Sequence, residues 1–307
     1  MKWDYLNLGD TIDIIAPASH SPHDKLVKGS EWLQSLGFQT RIQKGMISPD
    51  AFFAAPLEIQ FEQLKEAIYS DSKAIWCLRG GYGSMRLIPQ LMKLKAPKTP
   101  KLFVGFSDIT SLHLFFNQVW KWPTLHGRTI SQLSLDLAST PDRKELKDLL
   151  FGDIDEVCFK NLKPLNEAAE KSQVVKGKIV GGNLRILQSS LGTSIELNPK
   201  GKILFVEDVG ERGYSIDRML EQMHQAGLVH KGLRALIFGD FTEGLEKDGK
   251  DLTTVAMKRF AQRVNYPVLM GMKAGHGSKF NYSVPFQTDS KLILGKKAEL
   301  VIQTGGN

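Results

Sequence analysis

Lys101-Leu-Phe-Val-Gly-Phe-Ser107-Asp-Ile-Thr110 decides how this chain is read. An apolar run closes on Gly105 and Phe106, a serine and an aspartate follow, and Ile109-Thr-Ser-Leu112 opens a helical pattern. Strand, turn and helix in that order form the setting in which a serine hydroxyl is held at a sharp elbow above a parallel sheet. The same residues also fit a plain helix start, with Ser107 as N-cap and no chemistry. The elbow of α/β hydrolases has glycine two places after the serine. Ile109 stands there instead, which disfavours an ordinary member of that class.

Working outward, strand and helix signals alternate. Residues 11–16 read as a buried strand closed by Pro17, and Ser21-Pro22 starts a helix that Gly37 ends. Strands are expected at 38–42, 74–78 and 102–106, and helical patterns at 56–69, 85–92 and 109–120. This rhythm predicts an α/β fold, a parallel sheet with helices on both faces and its site beyond the carboxyl ends of the strands. Arg79-Gly-Gly-Tyr82-Gly-Ser84 sits at such an end. It lacks the Lys-Ser/Thr of a P-loop and the dinucleotide glycine spacing. Its backbone N–H groups suit an oxyanion hole or a phosphate, and a tight turn explains it equally.

Residues 139–172 break the rhythm with one polar helix from Thr140-Pro141 and a passage rich in lysine and asparagine. The domains expected are therefore 1–138, an N-terminal α/β domain carrying the serine; 139–172, a linker; and 173–307, a C-terminal α+β domain. The last has strands at 174–180, 203–206, 235–241 and 268–272, helices at 183–191 and 216–226, and a hairpin over 291–302.

A chain of 307 residues with 42% hydrophobic and 24% charged residues is an ordinary globular composition. Its formal charge of +7 is spread along the chain. No basic helix or aromatic-basic stripe supports nucleic-acid binding, so the charge at most steers acidic substrates. Cys77 and Cys158 form no disulfide framework and have no metal-type spacing. No His-Glu-x-x-His pattern points to a zinc hydrolase. The N-terminus lacks the apolar stretch of a signal peptide and no run reaches membrane-spanning length, so a cytoplasmic place is expected.

A serine needs a base and an orienting acid to become a nucleophile. Ile203-Leu-Phe-Val-Glu207-Asp208 puts carboxylates at a strand end, with Glu211 close behind, and Ala274-Gly-His276-Gly277 puts an imidazole between glycines. Ser, acid, His is the hydrolase order. Spacing does not choose between Glu207 and Asp208, and all the acids could equally solvate the surface or cap the helix near Ser215. His20, His23, His113, His126, His224 and His230 have weaker contexts, His113 as a helix-face residue.

As an ordered set, Arg79-Gly-Gly-Tyr-Gly83, Gly105-Phe-Ser-Asp-Ile-Thr110, Gly181-Gly-Asn-Leu184, Leu204-Phe-Val-Glu-Asp-Val-Gly-Glu211, Ile216-Asp-Arg-Met-Leu220 and Gly275-His-Gly277 resemble the serine LD-carboxypeptidases. These are the murein tetrapeptide carboxypeptidases and the related microcin C immunity peptidases. The resemblance runs from about Gly9 to Pro285. It implies a flavodoxin-like N-terminal domain and a smaller, β-rich C-terminal one. It also implies a catalytic set of Ser107, Glu207 and His276, an oxyanion hole from the N–H groups of Asp108 and Gly81, no metal or cofactor, and a homodimer.

The reaction implied is hydrolysis of the bond to the terminal D-alanine of a peptidoglycan tetrapeptide or muropeptide, in cytoplasmic murein recycling. Arg79, Tyr82 and Arg86 are candidates for binding substrate, the arginines through its free carboxylate. Family members often have Pro-x-Gly after the histidine and an asparagine. Asn281 and Pro285 fit, but Phe286-Gln287 replaces the glycine, which bears on substrate fit. Cleavage of peptidyl-nucleotide amides is the alternative within the family, with Trp120 or Trp122 as a platform for the base. A muropeptide-binding protein without catalysis is the alternative outside it.

Overall fold

Thr11–Ile15 forms β1, buried at every position after the first. The computed structural model describes residues 2–43, 45–135, 140–229, 232–277 and 280–305; His230 lies outside them. The chain divides into two compact units, Met1–Asp155 with Gly305–Asn307, and Glu156–Thr304.

In the first unit β1 is followed by α1 (His23–Ser35), β2 (Gln39–Ile42), α2 (Leu57–Tyr69), β3 (Ala74–Cys77), α3 (Ile88–Leu91), β4 (Leu102–Gly105), α4 (Thr110–Phe115), β5 (Thr124–His126), α5 (Ile130–Leu133) and α6 (Pro141–Phe151). The strands run in the order β2-β1-β3-β4-β5, every pair parallel. That is the flavodoxin-like order, whose crevice opens where the winding reverses, between β1 and β3. The loops at that crevice are 16–22, after β1, and 78–83, after β3. Parallel strands covered on both faces read as continuous apolar runs, and Ile12, Ile14, Trp76, Phe103 and Val104 are all fully buried here.

The single apolar helix expected over 109–120 is three pieces. A 3-10 turn covers Ser107–Ile109, α4 follows, and a π turn covers Phe116–Trp120. The run has no polar face to leave in solvent. Phe115, Phe116, Trp120 and Trp122 interlock, and Asn117 Nδ2 reaches the Trp122 carbonyl at 2.8 Å. His113 is buried between the Gly105 carbonyl and Thr124 Oγ1, 2.8 Å from each, and pins α4 to the ends of β4 and β5. Burial pushes its pKa down to about 4, against the Gly105 hydrogen bond, so the ring is neutral. A buried ion pair, Arg128 with Asp142, ties the segment after β5 to α6 at 2.5 Å. Trp3 donates its N–H to the Gly305 carbonyl at 2.8 Å.

The second unit contains β6 (Glu156–Pro164), α7 (Glu167–Glu170), β7 (Val174–Asn183), α8 (Leu184–Ser189), β8 (Lys202–Val209), α9 (Gly213–Gln225), β9 (Ala235–Thr242), α10 (Thr253–Ala261), β10 (Val268–Met270), β11 (Val284–Phe286), β12 (Asp289–Ile293) and β13 (Ala298–Gln303). Its barrel closes in the order β10-β6-β13-β12-β7-β8-β9. The run β7-β8-β9-β10 is parallel and helix-connected, while β6, β13 and β12 pair antiparallel. The stretch read as a linker is structured. Helix α6 belongs to the first unit and β6 to the second, and β6 alternates buried and exposed residues over Glu156–Phe159 as a barrel strand should.

Candidate active site

At the end of β4 the chain leaves Phe106 extended, at φ −158°, and turns at Ser107, whose φ is +63°. A non-glycine residue in the left-handed region is strained by about 1–2 kcal/mol, and such strain gathers at functional sites. The elbow is fixed from behind. Asp108 is buried, its Oδ2 accepts the Ser84 N–H at 2.8 Å, and its carbonyl accepts the Ser84 hydroxyl at 2.7 Å. Burial raises the Asp108 pKa, and the Ser84 and Gly83 donors oppose the rise. Ser84 thereby locks the glycine loop to the turn that carries Ser107.

Gly80 is where the two meet. A Cβ on it would stand 2.9 Å from Ser107 Cβ and 3.2 Å from Ser107 Oγ, so only glycine fits. Ser19, from the loop after β1, completes the crevice. Its Oγ accepts the Tyr82 N–H at 3.1 Å and donates to the Phe52 carbonyl at 2.8 Å, and its N–H donates to the Gly80 carbonyl. Among the described residues neither the Gly81 nor the Asp108 N–H donates within the chain.

Tyr82 is exposed and stacks on Phe53 with ring centres 5.6 Å apart. The Arg86 guanidinium lies 4.0 Å from the centre of the Phe53 ring. Arg79 is exposed, and its Nη1 donates to the His20 carbonyl at 2.9 Å. Trp120 and Trp122 are core residues, 6% and 0% exposed, and offer no open face as a platform for a base.

In the second unit, β8 carries Glu207 near its carboxyl end, and the segment after β10 carries His276. His276 Nδ1 lies 2.5 Å from Glu207 Oε2, with the Glu207 side chain fully buried. Gly275 makes this possible. Its φ is +119°, and a Cβ there would stand 2.7 Å from the Glu207 Cβ. Burial alone would lower the His276 pKa. The charge and hydrogen bond of Glu207, with the charges of Asp208 and Glu243, outweigh burial, and the net shift is upward.

The acids left open by spacing separate here. Asp208 accepts from Asn183 Nδ2 at 2.9 Å, from the Arg185 N–H at 3.0 Å and from the Val209 N–H at 2.8 Å. It ties the start of α8 to β8, and its pKa is pushed up to about 6 by burial and by Glu207. Glu211 pairs with Arg185 and accepts the Ser215 hydroxyl, at the head of α9. Glu207 is the acid that hydrogen-bonds the imidazole.

Two residues escaped the sequence reading. Ser19 had no motif around it, and only the strand order brings its loop beside Gly80. Asp240 lies in β9, in a stretch that reads as an unremarked strand end. Among the described residues no group of His, Cys, Asp and Glu is placed to hold a metal ion. No helix among them is long and apolar enough to cross a membrane.

A doubly wound unit with a strained serine after β4, and a helix-connected barrel with a buried carboxylate–imidazole pair, define the class: two-unit α/β proteins whose reactive side chains stand at the carboxyl ends of parallel strands. The chain belongs to the LD-carboxypeptidase family, peptidase family S66: residues 12–127 match its N-terminal domain and 176–292 its C-terminal domain. It is 38% identical over 293 residues to a Rickettsia conorii protein that carries a provisional carboxypeptidase name, covering 95% of this chain and 90% of that one. It is 29% identical over 274 residues to the murein tetrapeptide carboxypeptidase of Pseudomonas aeruginosa, covering 87% and 88%. The muramoyltetrapeptide carboxypeptidase structure from Oxalobacter formigenes superposes with a TM-score of 0.83 at 27% identity, over 97% of this chain and 100% of that one. The microcin C7 self-immunity protein MccF shares the fold, with a TM-score of 0.85 at 18% identity over 100% and 99%.

Proposed function

We propose that this peptidase is a serine LD-carboxypeptidase that removes the terminal D-alanine from murein tetrapeptide stems. The observation that carries the reading is the His276–Glu207 pair. A fully buried carboxylate 2.5 Å from Nδ1 favours the tautomer with its proton on Nδ1 and leaves Nε2 as the basic nitrogen. The strained Ser107 supplies the group from which that proton would come.

In this reading Ser107 Oγ attacks the carbonyl carbon of the bond to D-alanine while His276 Nε2 takes the hydroxyl proton. The tetrahedral oxyanion is stabilised by the N–H groups of Asp108 and Gly81. Collapse breaks the C–N bond, and the imidazolium gives its proton to the departing D-alanine amine. Water, deprotonated by His276, then attacks the acyl ester, the C–Oγ bond breaks, and the imidazolium returns its proton to Ser107 Oγ as the shortened stem leaves. Glu207 stays ionised and stabilises the imidazolium in both halves. Arg79 or Arg86 receives the free carboxylate of the substrate, since a guanidinium has five N–H donors and neither arginine spends all of them among the described residues. The same reading carries a cytoplasmic place in murein recycling and a homodimer.

The experiment is release of D-alanine from a murein tetrapeptide, with Ser107→Ala as control and the C-terminally amidated peptide as comparison. Release by wild type, none by folded Ser107→Ala, and strong preference for the free acid are expected. Equal cleavage of acid and amide would make the protein a general amidase. Binding without release would make it a muropeptide receptor.

A further inference from the structure

The carboxyl ends of β8, β9 and β10 are neighbours in the barrel. Strand β8 supplies Glu207, and the segment after β10 supplies His276. Strand β9 between them supplies Asp240, for which the mechanism above has no use. The register shows that this position is built. Val206 pairs with Phe238, but Asp208 pairs with Phe241, so β9 carries an extra residue opposite Glu207. Such a bulge re-aims a side chain beside a site.

Asp240 and its strand grip the histidine segment on either side of the ring. The Asp240 N–H donates to the Ala274 carbonyl at 2.9 Å. The Asp240 carboxyl packs on Gly277, where a Cβ would stand 2.5 Å from Oδ2. Thr242 Oγ1 donates to the His276 carbonyl at 3.2 Å. Asp240 Oδ2 is buried and makes no well-formed hydrogen bond among the described residues, although the Gly277 N–H acts on the carboxyl. That is a costly arrangement for a carboxylate placed only to fill space.

We propose that Asp240 is a positioning residue for His276: it clasps the peptide groups on both sides of the histidine from the β9 strand and so holds the imidazole against Glu207. The proposal rests on the reading of His276 as the base. A catalytic group must be held to within about 0.5 Å by its supporting shell, and the flanking glycines leave this segment no rigidity of its own. The charges around the carboxyl fit the role. Burial and Glu207 from β8 push its pKa up to about 6, while the Gly277 N–H, His276 and Lys273 from the histidine segment hold it down. At neutral pH it is thus ionised and able to accept.

The test compares Asp240→Ala and Asp240→Asn with wild type by two readouts. The first is the downfield proton signal of the short Nδ1–H···Oε2 bond, followed in protein labelled at the histidine nitrogens. It is expected to vanish or broaden in Asp240→Ala and to survive in Asp240→Asn, which keeps an acceptor for Gly277. This readout needs no substrate, so it decides the clasp even where D-alanine release, and with it the proposed function, fails. The second is turnover. Asp240→Ala should lose at least tenfold in kcat with KM within twofold, and Asp240→Asn should return to within threefold of wild type. A sharp downfield signal in Asp240→Ala overturns the proposal, as does a smaller loss in kcat. Asp240→Asn as damaging as Asp240→Ala overturns it in favour of charge, and a change confined to KM in favour of a substrate contact. Should Asp240→Ala fail to fold, Thr242→Val cuts the neighbouring grip alone. It broadens the signal if the clasp holds the segment and leaves it sharp if it does not.

Discussion

Ser107 is held in a conformation that suits glycine better than serine. If the strain is kept for the sake of the hydroxyl, Ser107→Gly should abolish turnover and yet raise stability, by about 0.5–1 kcal/mol. Ser107→Ala, which keeps the Cβ, should show no such gain. Thermal midpoints of the two variants check this. At His276 the sign of the shift fixes the pH dependence. The base works only when neutral, and its pKa lies above the ordinary 6.5, so the acid limb of kcat/KM should have its midpoint above that value. The same shift stabilises the folded chain fully below pH 6.5 and is lost as pH rises through the folded pKa. Glu207→Gln should move the limb downward and cost about 10⁴-fold in rate, the scale on which tautomer control acts in other triads. Asp208→Asn should instead cost stability, about 1–3 kcal/mol, because its amide would point a donor at the Asn183, Arg185 or Val209 donors. Urea denaturation beside initial rates separates the two acids. Sequence spacing left this pair equivalent because both sit at a strand end. What distinguishes them is which face of β8 each occupies, and β8 is buried on both faces, so no alternation of apolar and polar residues marks the two faces.

Among the elements, those with an apolar period and a clear stop were legible in the sequence. Strands β1, β3 and β4, helices α6 and α9, and the β12–β13 hairpin fall within a few residues of where the pattern puts them. Strand β6 was hidden because its alternation breaks at Lys160 and Asn161, two successive exposed residues where β6 carries an extra residue against β13. The π turn at the end of the serine helix was hidden because no local signal announces it; aromatic packing from Trp122, beyond the helix, shapes that turn. Helix α6 is anchored by a pair that sequence does not reveal. Both Arg128 and Asp142 are buried, with side chains 5% and 0% exposed. Arg128→Ala should therefore destabilise the protein by about 3–5 kcal/mol, by stranding the carboxylate, and Arg128→Met with Asp142→Leu should recover most of it. Equilibrium denaturation of the single and double variants measures both.

On the scale of the whole molecule, the family and the two-unit plan could be read from ordered motifs, whereas closure of the second unit into a barrel could not. Closure depends on β10 pairing with β6, and these strands lie about a hundred residues apart in sequence. Nor could the sequence show that the chain re-enters the first unit at Gly305 after building the second. That return has a mechanical meaning. A load applied between residue 2 and residue 305 runs first through the Trp3 N–H···Gly305 carbonyl bond, 2.8 Å long, and only after it parts does tension reach either the sheet or the barrel. The bond, with the Trp3 ring packed on Gly305 beside it, is a latch between the two ends. Tethered at those two positions in an optical trap, the protein should show a small early extension before any large one. Gly305→Ala, whose new methyl would collide with the Trp3 ring, should erase the early step and leave the later ones in place.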